Sequence, residues 1–241
     1  MLERGRIERS TSTWQQPLPA PAGPVRAAVI AQTATRIARV GDRRVRVAVD
    51  GMTAAGKTTF GHELAVALAD QGRVVLRASL DDFKRPWSES HLYDRTSGEG
   101  YYRNAFDLAA VHQLLLDPAA PHGSGEVTLC AIDPITQIDH RESVVHMPRN
   151  GVLIVDGVFA LRDELIAAWD LAIWLAIDAE LSVRRGVDRD ADREGGREHT
   201  ETLHRTRYLD AEMIYIRETD PVSRAHVVID NTDIGAPALI R

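Results

Sequence analysis

Lys57 and Thr58 close a run, Gly51-Met52-Thr53-Ala54-Ala55-Gly56-Lys57-Thr58, that fits the pattern G-x-x-x-x-G-K-[ST]. These residue types at this spacing suit chemistry on a nucleoside triphosphate. Gly51 and Gly56 let the backbone turn its N–H groups inward around an anion, at dihedrals that other residues resist. A helix opening at Lys57 adds the positive end of its dipole. The lysine ammonium reaches the β- and γ-phosphates, and the threonine hydroxyl can ligate Mg²⁺. Gly51, Thr53, Ala54, Ala55, Gly56, Lys57, Thr58 and Thr59 are therefore the residues expected to hold the phosphates.

Two further places offer carboxylates. Asp81 and Asp82 follow the apolar run Val74 to Ala78, and Asp156 ends the run GVLIVDG. In open parallel sheets ligands bind beyond the carboxyl ends of the strands, which brings both places to the edge that carries the glycine loop. A carboxylate there can take a proton from an attacking hydroxyl or hold Mg²⁺, directly or through water. An apolar strand that delivers an acid beside the loop is a Walker B pattern. Thr58, Asp81 and Asp156 form the expected Mg²⁺ set, and Asp81 with Lys57 the expected catalytic pair. An acid opening a turn or capping a helix would read the same way in isolation.

The elements that must position these groups can be followed along the chain. Residues 1–24 carry Pro17, Pro19, Pro21 and Pro24 without a period and read as a flexible tail, leaving 25–241 as one domain. Ala27 to Val40 has helical spacing. Val45, Val47 and Val49 alternate as a strand, and Phe60 to Leu68 continues as a helix. Lys84 to Asn104 is polar and bears Tyr93, Tyr101 and Tyr102, too long for an idle connection. Val127 to Ile132 and Ser143 to Met147 suggest a hairpin whose tip carries Asp133, Asp139, His140 and Arg141. LAIWLAI, from Leu171, reads as a fully buried strand. Helices are expected at Asp107 to Leu116, Leu161 to Ala168, Ala179 to Asp190 and Glu201 to Ile216. Between the last two lies DRDADREGGREH, a charged run around Gly195-Gly196 that reads as a mobile lid over about 184–200. Its arginines, Arg184 and Arg189 first and then Arg193 and Arg197, have the planar fork that suits phosphate oxygens. Strand starts at Val45, Val74, Val152, Leu171 and His226 give a five-stranded parallel sheet with helices on both faces, an α/β P-loop NTPase fold with an added hairpin and lid.

Composition sets the limits. The chain has 241 residues, 44% of them apolar, enough for an ordinary core. Its net charge of −6 argues against a protein that coats nucleic acid. One cysteine, Cys130, excludes an internal disulfide and a cysteine metal cage, and fits a reducing cytoplasm. No apolar run approaches the roughly 18 residues of a membrane span, and MLERGRIERS lacks a signal peptide's apolar core. A cytoplasmic protein without nucleic-acid or membrane partners is expected; a homo-oligomer is compatible with the sequence but not readable from it.

The order of these motifs, from Val45 to Asn231, resembles the uridine kinase-like group of P-loop kinases, with phosphoribulokinase and bacterial pantothenate kinase as relatives. Ser79-Leu80-Asp81-Asp82-Phe83 is similar to the group's stretch in which the catalytic base precedes a small residue and an aromatic, and alignment on Phe83 puts that role on Asp81. Ala105-Phe106-Asp107 resembles a segment whose acid helps hold a sugar. Ile132-Asp133 through His140-Arg141 resembles the Tyr-Asp…His-x-Arg hairpin, Arg184-Arg185 and Arg189-Asp190 the start of the arginine lid, and Ala225 to Ile229 the closing strand. Three departures stand out. Ile132 replaces a tyrosine that meets the pyrimidine, the hairpin tip is one residue longer, and Asp156 replaces a glutamate. The resemblance implies an ATP- and Mg²⁺-dependent kinase acting on an acceptor hydroxyl, uridine or cytidine first, and pantothenate, a sugar or another nucleoside next. Asp82, Tyr102, Asp107, Asp133, His140 and Arg141 are the implied acceptor contacts. The reading from another class is a nucleotide-dependent switch or regulatory ATPase. The sequence lacks both the Asn-Lys-x-Asp motif of GTPases and the Leu-Ser-Gly-Gly-Gln signature of transporter ATPases.

Overall fold

The computed structural model describes residues 5–14 and 17–241. Among the described residues the main sheet is built from Ile7–Arg9 (β1), Val45–Gly51 (β2), Val75–Ser79 (β3), Val152–Asp156 (β6), Leu171–Ala176 (β7), Val227–Asp230 (β8) and Ala238–Leu239 (β9). Glu126–Thr128 (β4) and Val144–His146 (β5) form the separate antiparallel hairpin. The order across the main sheet is β1-β3-β6-β2-β7-β8-β9, parallel throughout except for the β8–β9 pair.

All five expected strands are present, and the sheet has seven rather than five. The two additions are edge strands too short to show a period of two. The first corrects the reading of residues 1–24 as a tail. Ile7–Arg9 pairs with Val75–Arg77, and the backbone bonds Val75 N–H to Arg6 O (2.8 Å) and Ser10 N–H to Arg77 O (3.0 Å) frame the ladder. The order there comes from tertiary pairing, which leaves no local signature. Residues 1–4 and 15–16 of that stretch lie outside the described residues.

Alternation along each strand explains why the apolar runs are continuous. Val45, Val47, Val49, Ile154, Ile173 and Ile229 face one core, which is covered by Pro24–Ala38 (α1) and Lys57–Asp70 (α2). Ala48, Leu76, Val155, Trp174 and Val228 face the other. Both faces are covered, so both sets of alternating positions are mainly apolar, with buried Asp50 and Arg77 as charged exceptions. The second core is aromatic: Phe159 meets Tyr101, Tyr102, Phe106 and Tyr215 with ring centroids 5.0–5.9 Å apart, mostly edge to face.

The long connection after β3 holds a short helix, Gly98–Asn104 (α3). Leu108–Ala110 (α4) continues as a wider π turn over Val111–Leu116, and Asp163–Ile166 (α5) is a shorter helix than the spacing suggests. Ala179–Asp190 (α6) matches its expected bounds and is capped by Asp178, which accepts from Leu181 N–H at 2.7 Å. After the two glycines, Arg197–Leu203 (α7), a π segment His204–Leu209 and Asp210–Thr219 (α8) run on as one helical stretch, and Pro221–Arg224 (α9) leads into β8.

The junction of α6 with the helical stretch after the two glycines depends on close packing at Gly186. The His204 ring lies against it and meets Asp190 Oδ2 at 3.1 Å. A Cβ at position 186 would sit 2.2 Å from His204 Cε1. Alanine's higher helix propensity is worth at most about 1 kcal/mol over glycine, which overpacking a buried ring outweighs. Gly186→Ala is expected to destabilise the chain by about 1–3 kcal/mol. Denaturant unfolding with an unchanged slope and a lower midpoint is the check.

Candidate active site

The glycine loop connects β2 to α2, and its two glycines are there for steric reasons. Gly51 has φ +152°, and a Cβ there would lie 2.6 Å from Leu175 O. Gly56 has φ +89°, and a Cβ there would lie 2.9 Å from Asn231 Nδ2. Asn231 Nδ2–H donates to Ala55 O at 2.6 Å and Ser182 Oγ–H to Thr53 O at 2.7 Å, so β8 and α6 hold the loop from outside. Glu212, from α8, accepts from both the N–H (2.5 Å) and the hydroxyl (2.7 Å) of Thr53. Lys57 Nζ donates to Gly51 O at 3.0 Å and Met52 O at 2.8 Å. Burial lowers the pKa of this lysine, opposed by the charges of Glu212, Asp50, Asp81 and Asp156.

Two of the predicted acids share a cavity with the loop. Asp156 ends β6, where Arg77 Nη2 reaches its Oδ1 at 2.6 Å and Thr58 Oγ1 donates to its Oδ2 at 2.6 Å. Asp81 stands just beyond β3, paired with Lys84 Nζ at 2.6 Å and accepting from Trp14 Nε1–H at 3.2 Å. Burial pushes the Asp81 carboxyl up, but Lys84, Lys57 and Trp14 together hold it below the usual carboxylate range. Lys57, Thr58, Thr59, Asp81 and Asp156 line one cavity of about 330 Å³.

The Thr58 hydroxyl and Asp156 carboxylate, 2.6 Å apart beside Lys57, form a donor set that fits Mg²⁺. That ion takes one or two protein oxygens and fills its remaining positions with water and phosphate oxygens. Among the described residues no group of three or more His, Cys, Asp or Glu is arranged as a metal cage. Asp81, also expected in the set, is instead engaged with Lys84.

Several expected site residues lie elsewhere. Arg184 is exposed and outside the cavity lining; one position on, Arg185 lines it together with Arg189 and Arg193. Arg189 and Arg193 are anchored on buried Asp190, while Arg197 pairs with Asp188 at 2.8 Å on the surface. Tyr102 is buried in the aromatic core, and its neighbour Tyr101 lines the cavity. Asp107 caps the following helix through Ala110 N–H at 3.1 Å. Asp133 is buried and accepts from Thr13, Ile135 and Thr136, which ties the N-terminal segment to the hairpin loop. His140 lines neither this cavity nor the one that adjoins it, and Arg141 pairs with Asp139 at 2.6 Å in solvent. Asp82 points inward to Ser10 Oγ–H at 2.7 Å.

Other groups at the site carry little signal in the sequence. Glu212 sits mid-helix and belongs to no motif. Trp14 belongs to the stretch read as a tail, yet Arg193 lies 4.5 Å above its ring. Lys84 directly follows the aligned segment, and its charge is the one signal that could have found it. A second cavity, of about 620 Å³, adjoins the first and shares Trp14, Lys84, Tyr101, Glu194 and Tyr208 with it.

No protein-family model matches the chain. Among solved structures it is similar to a possible uridine kinase from Bacillus stearothermophilus, with TM-score 0.63 and 21% identity over 84% of this chain and 96% of that one. A candidate fructose transport system kinase from Silicibacter sp. aligns with TM-score 0.63 and 22% identity over 81% and 95%. D-glycerate 3-kinase from Cryptococcus neoformans var. grubii aligns with TM-score 0.51 and 12% identity over 81% and 90%. The chain thus has the fold of the uridine kinase-like P-loop kinases. Among the described residues no helix is long and apolar enough to cross a membrane.

Asp82 gives a pH signature. Burial pushes its carboxyl from 3.8 up to about 7, against hydrogen bonds from Ser12 and Ser10, with Asp81 and Asp156 adding to the rise. The folded state therefore keeps a proton that the unfolded state has released. Stability from this group is complete below pH 4 and is lost as pH rises to about 7. The gap between 3.8 and about 7 sets a ceiling of about 4 kcal/mol on the loss. Asp82→Asn is expected to flatten this part of the profile, so that wild type loses ground to the variant between pH 4 and 7. Urea titrations of both proteins across that range test it.

Proposed function

We propose that the chain is an ATP-dependent small-molecule kinase that transfers the γ-phosphoryl group to an acceptor hydroxyl. The observation that carries this reading is the placement of Asp81, which lies in the same cavity as Lys57 and Thr58 and is paired with Lys84 at the boundary of the larger one. A switch or regulatory ATPase has no need of a second cavity beside its phosphates.

The phosphates lie in the cradle of backbone N–H groups between Gly51 and Thr58, at the N-terminus of α2. Lys57 offers its ammonium to the terminal phosphates. Arg185, Arg189 and Arg193 line the same cavity, where guanidinium forks neutralise charge on the transferring group. Mg²⁺, held by Thr58 and Asp156, would supply further charge neutralisation across the phosphates. The acceptor oxygen forms its bond to the γ-phosphorus as the bond to the β,γ-bridging oxygen breaks, and the hydroxyl proton passes to Asp81. Asp81 is ionised at neutral pH because Lys84, Lys57 and Trp14 hold its pKa down against burial. Gly195 and Gly196, at φ +84° and +105°, give the lid its hinge. Closure over the phosphates excludes water as a competing acceptor.

The fold's relatives bear names that span a nucleoside, a sugar and a hydroxy acid, so likeness alone selects none of them. A nucleoside such as uridine or cytidine is the first acceptor expected from the sequence, yet the pyrimidine-facing tyrosine is here Ile132.

Asp81→Asn is expected to lower acceptor-dependent ADP formation by about 10²–10⁴-fold, while the affinity for a non-hydrolysable ATP analogue stays within about threefold, less than 1 kcal/mol. Steady-state kinetics and calorimetric titration of the two proteins decide it. Acceptor-dependent turnover that survives the substitution, or ADP formation indifferent to every acceptor, would remove the kinase reading.

A further inference from the structure

The larger cavity has an unbalanced lining. Lys84, Arg85, Arg95 and Arg207 face it together with only two carboxylates, Asp94 and Glu194. Most of this charge has partners. Lys84 is engaged with Asp81 at 2.6 Å, and Arg85 lies 3.6 Å from Glu89. Asp94 is taken up by Thr96 and Ser97 within its own turn, and Glu194 meets Arg193 at 3.3 Å.

Arg95 and Arg207 remain without a carboxylate partner among the described residues. Arg95 donates only to backbone, to Arg85 O at 2.8 Å and Pro86 O at 3.4 Å. Arg207 lies over the rings of Tyr101 at 4.8 Å and Tyr208 at 5.5 Å, and its Nε is buried with no hydrogen-bond partner. The Nε of Arg85 is likewise buried and unpartnered. Burial lowers the pKa of Arg95, the nearby charges of Arg207 and Arg85 lower it further, and Glu89 opposes them. Guanidinium groups do not shed their proton in proteins, so an anion placed between them would relieve their mutual repulsion. Arg207 and Tyr208 both come from the π segment His204–Leu209, and such widened turns recur at functional sites.

We propose that this cavity binds the anionic end of the acceptor, a carboxylate or a phosphate, between Arg95 and Arg207. The acceptor's hydroxyl end then lies toward Asp81, beyond Lys84. That last placement rests on the kinase reading; the preference for an anion does not. A solvated surface arginine needs no such ligand, but these side chains are half-buried and line a concave wall with aromatic faces. Paired forks suit a planar or tetrahedral oxyanion far better than the neutral hydroxyls of a nucleoside.

The test uses the full chain with its P-loop saturated by a non-hydrolysable ATP analogue, so that phosphate-bearing probes meet only the second cavity. Glucose, gluconate, glucose 6-phosphate and uridine are titrated by calorimetry, and the same compounds are tried as acceptors with ATP. At least tenfold tighter binding of a charged sugar than of glucose or uridine is expected, with gluconate against the phosphate identifying which oxyanion is read. Arg95→Gln and Arg207→Gln should each cut that preference by about tenfold and leave binding of the ATP analogue unchanged. Equal or tighter binding of the neutral compounds, or a preference untouched by both variants, overturns the proposal. Turnover of neutral acceptors alone would overturn it while leaving the kinase reading intact. Selective binding of a charged sugar without any turnover would support the anion site and count against the kinase reading.

Discussion

Parallel pairing is the constraint on which the site depends. Each parallel strand ends at the same edge, so whatever follows the strands is gathered there without any further instruction. Gly51 at the end of β2, Asp81 after β3, Asp156 at the end of β6 and Asn231 after β8 come together this way. What makes the sheet parallel is the burial of both faces. Val45, Val47 and Val49 need one apolar layer and Ala48 another, and helical crossovers supply both. The chemistry of the edge is thus a consequence of the hydrophobicity of the strands.

The groups gathered there are charged and buried, which is costly. Arg77 and Asp156 are almost fully buried, and such a pair gives little net stability once both ions have left water. Its value lies in position. Arg77 fixes one oxygen of Asp156 and leaves the other facing Thr58. Gly61 on α2 makes room for this, since a Cβ there would stand 2.6 Å from Arg77 Nη2. Glu212 acts similarly on the loop: it satisfies Thr53 and places a compensating charge near Lys57, at the cost of a carboxyl pushed up by burial.

How much of this is legible in the sequence depends on the distance over which each signal acts. The glycine loop, the five inner strands and the helix Ala179–Asp190 are local patterns and can be read directly. Helix phase is less accessible. Sequence reasoning points to Tyr102 and Arg184 at the site, whereas Tyr101 and Arg185 line it. Adjacent helical residues differ in direction by about 100°, and a resemblance fixes the segment better than the phase. Asp81 and Asp82 part in the same manner, one toward the cavity and one toward Ser10. Long-range partners are not legible at all. β1 is three residues that order only against β3, and Trp14 reaches Asp81 across 67 positions. The arginines of the second cavity come from two segments more than a hundred residues apart, so no spacing in the sequence connects Arg95 with Arg207.

A carboxylate held low by Lys84 is a weak base, which at first argues against Asp81 as the proton acceptor. Two considerations resolve this. A base must be ionised before it can act, and the partial burial of Asp81 pushes it toward its protonated form; the lysine outweighs that push and keeps the carboxyl ionised at neutral pH. Phosphoryl transfer also asks little of its base. The transition state is loose, with charge spread over the equatorial oxygens and the acceptor proton still largely in place. Strong basicity would gain little in such a reaction. In the proposed reaction orientation of the hydroxyl and compensation of charge matter more, and Lys84 would contribute to both through its ion pair with Asp81 at the boundary between the two cavities.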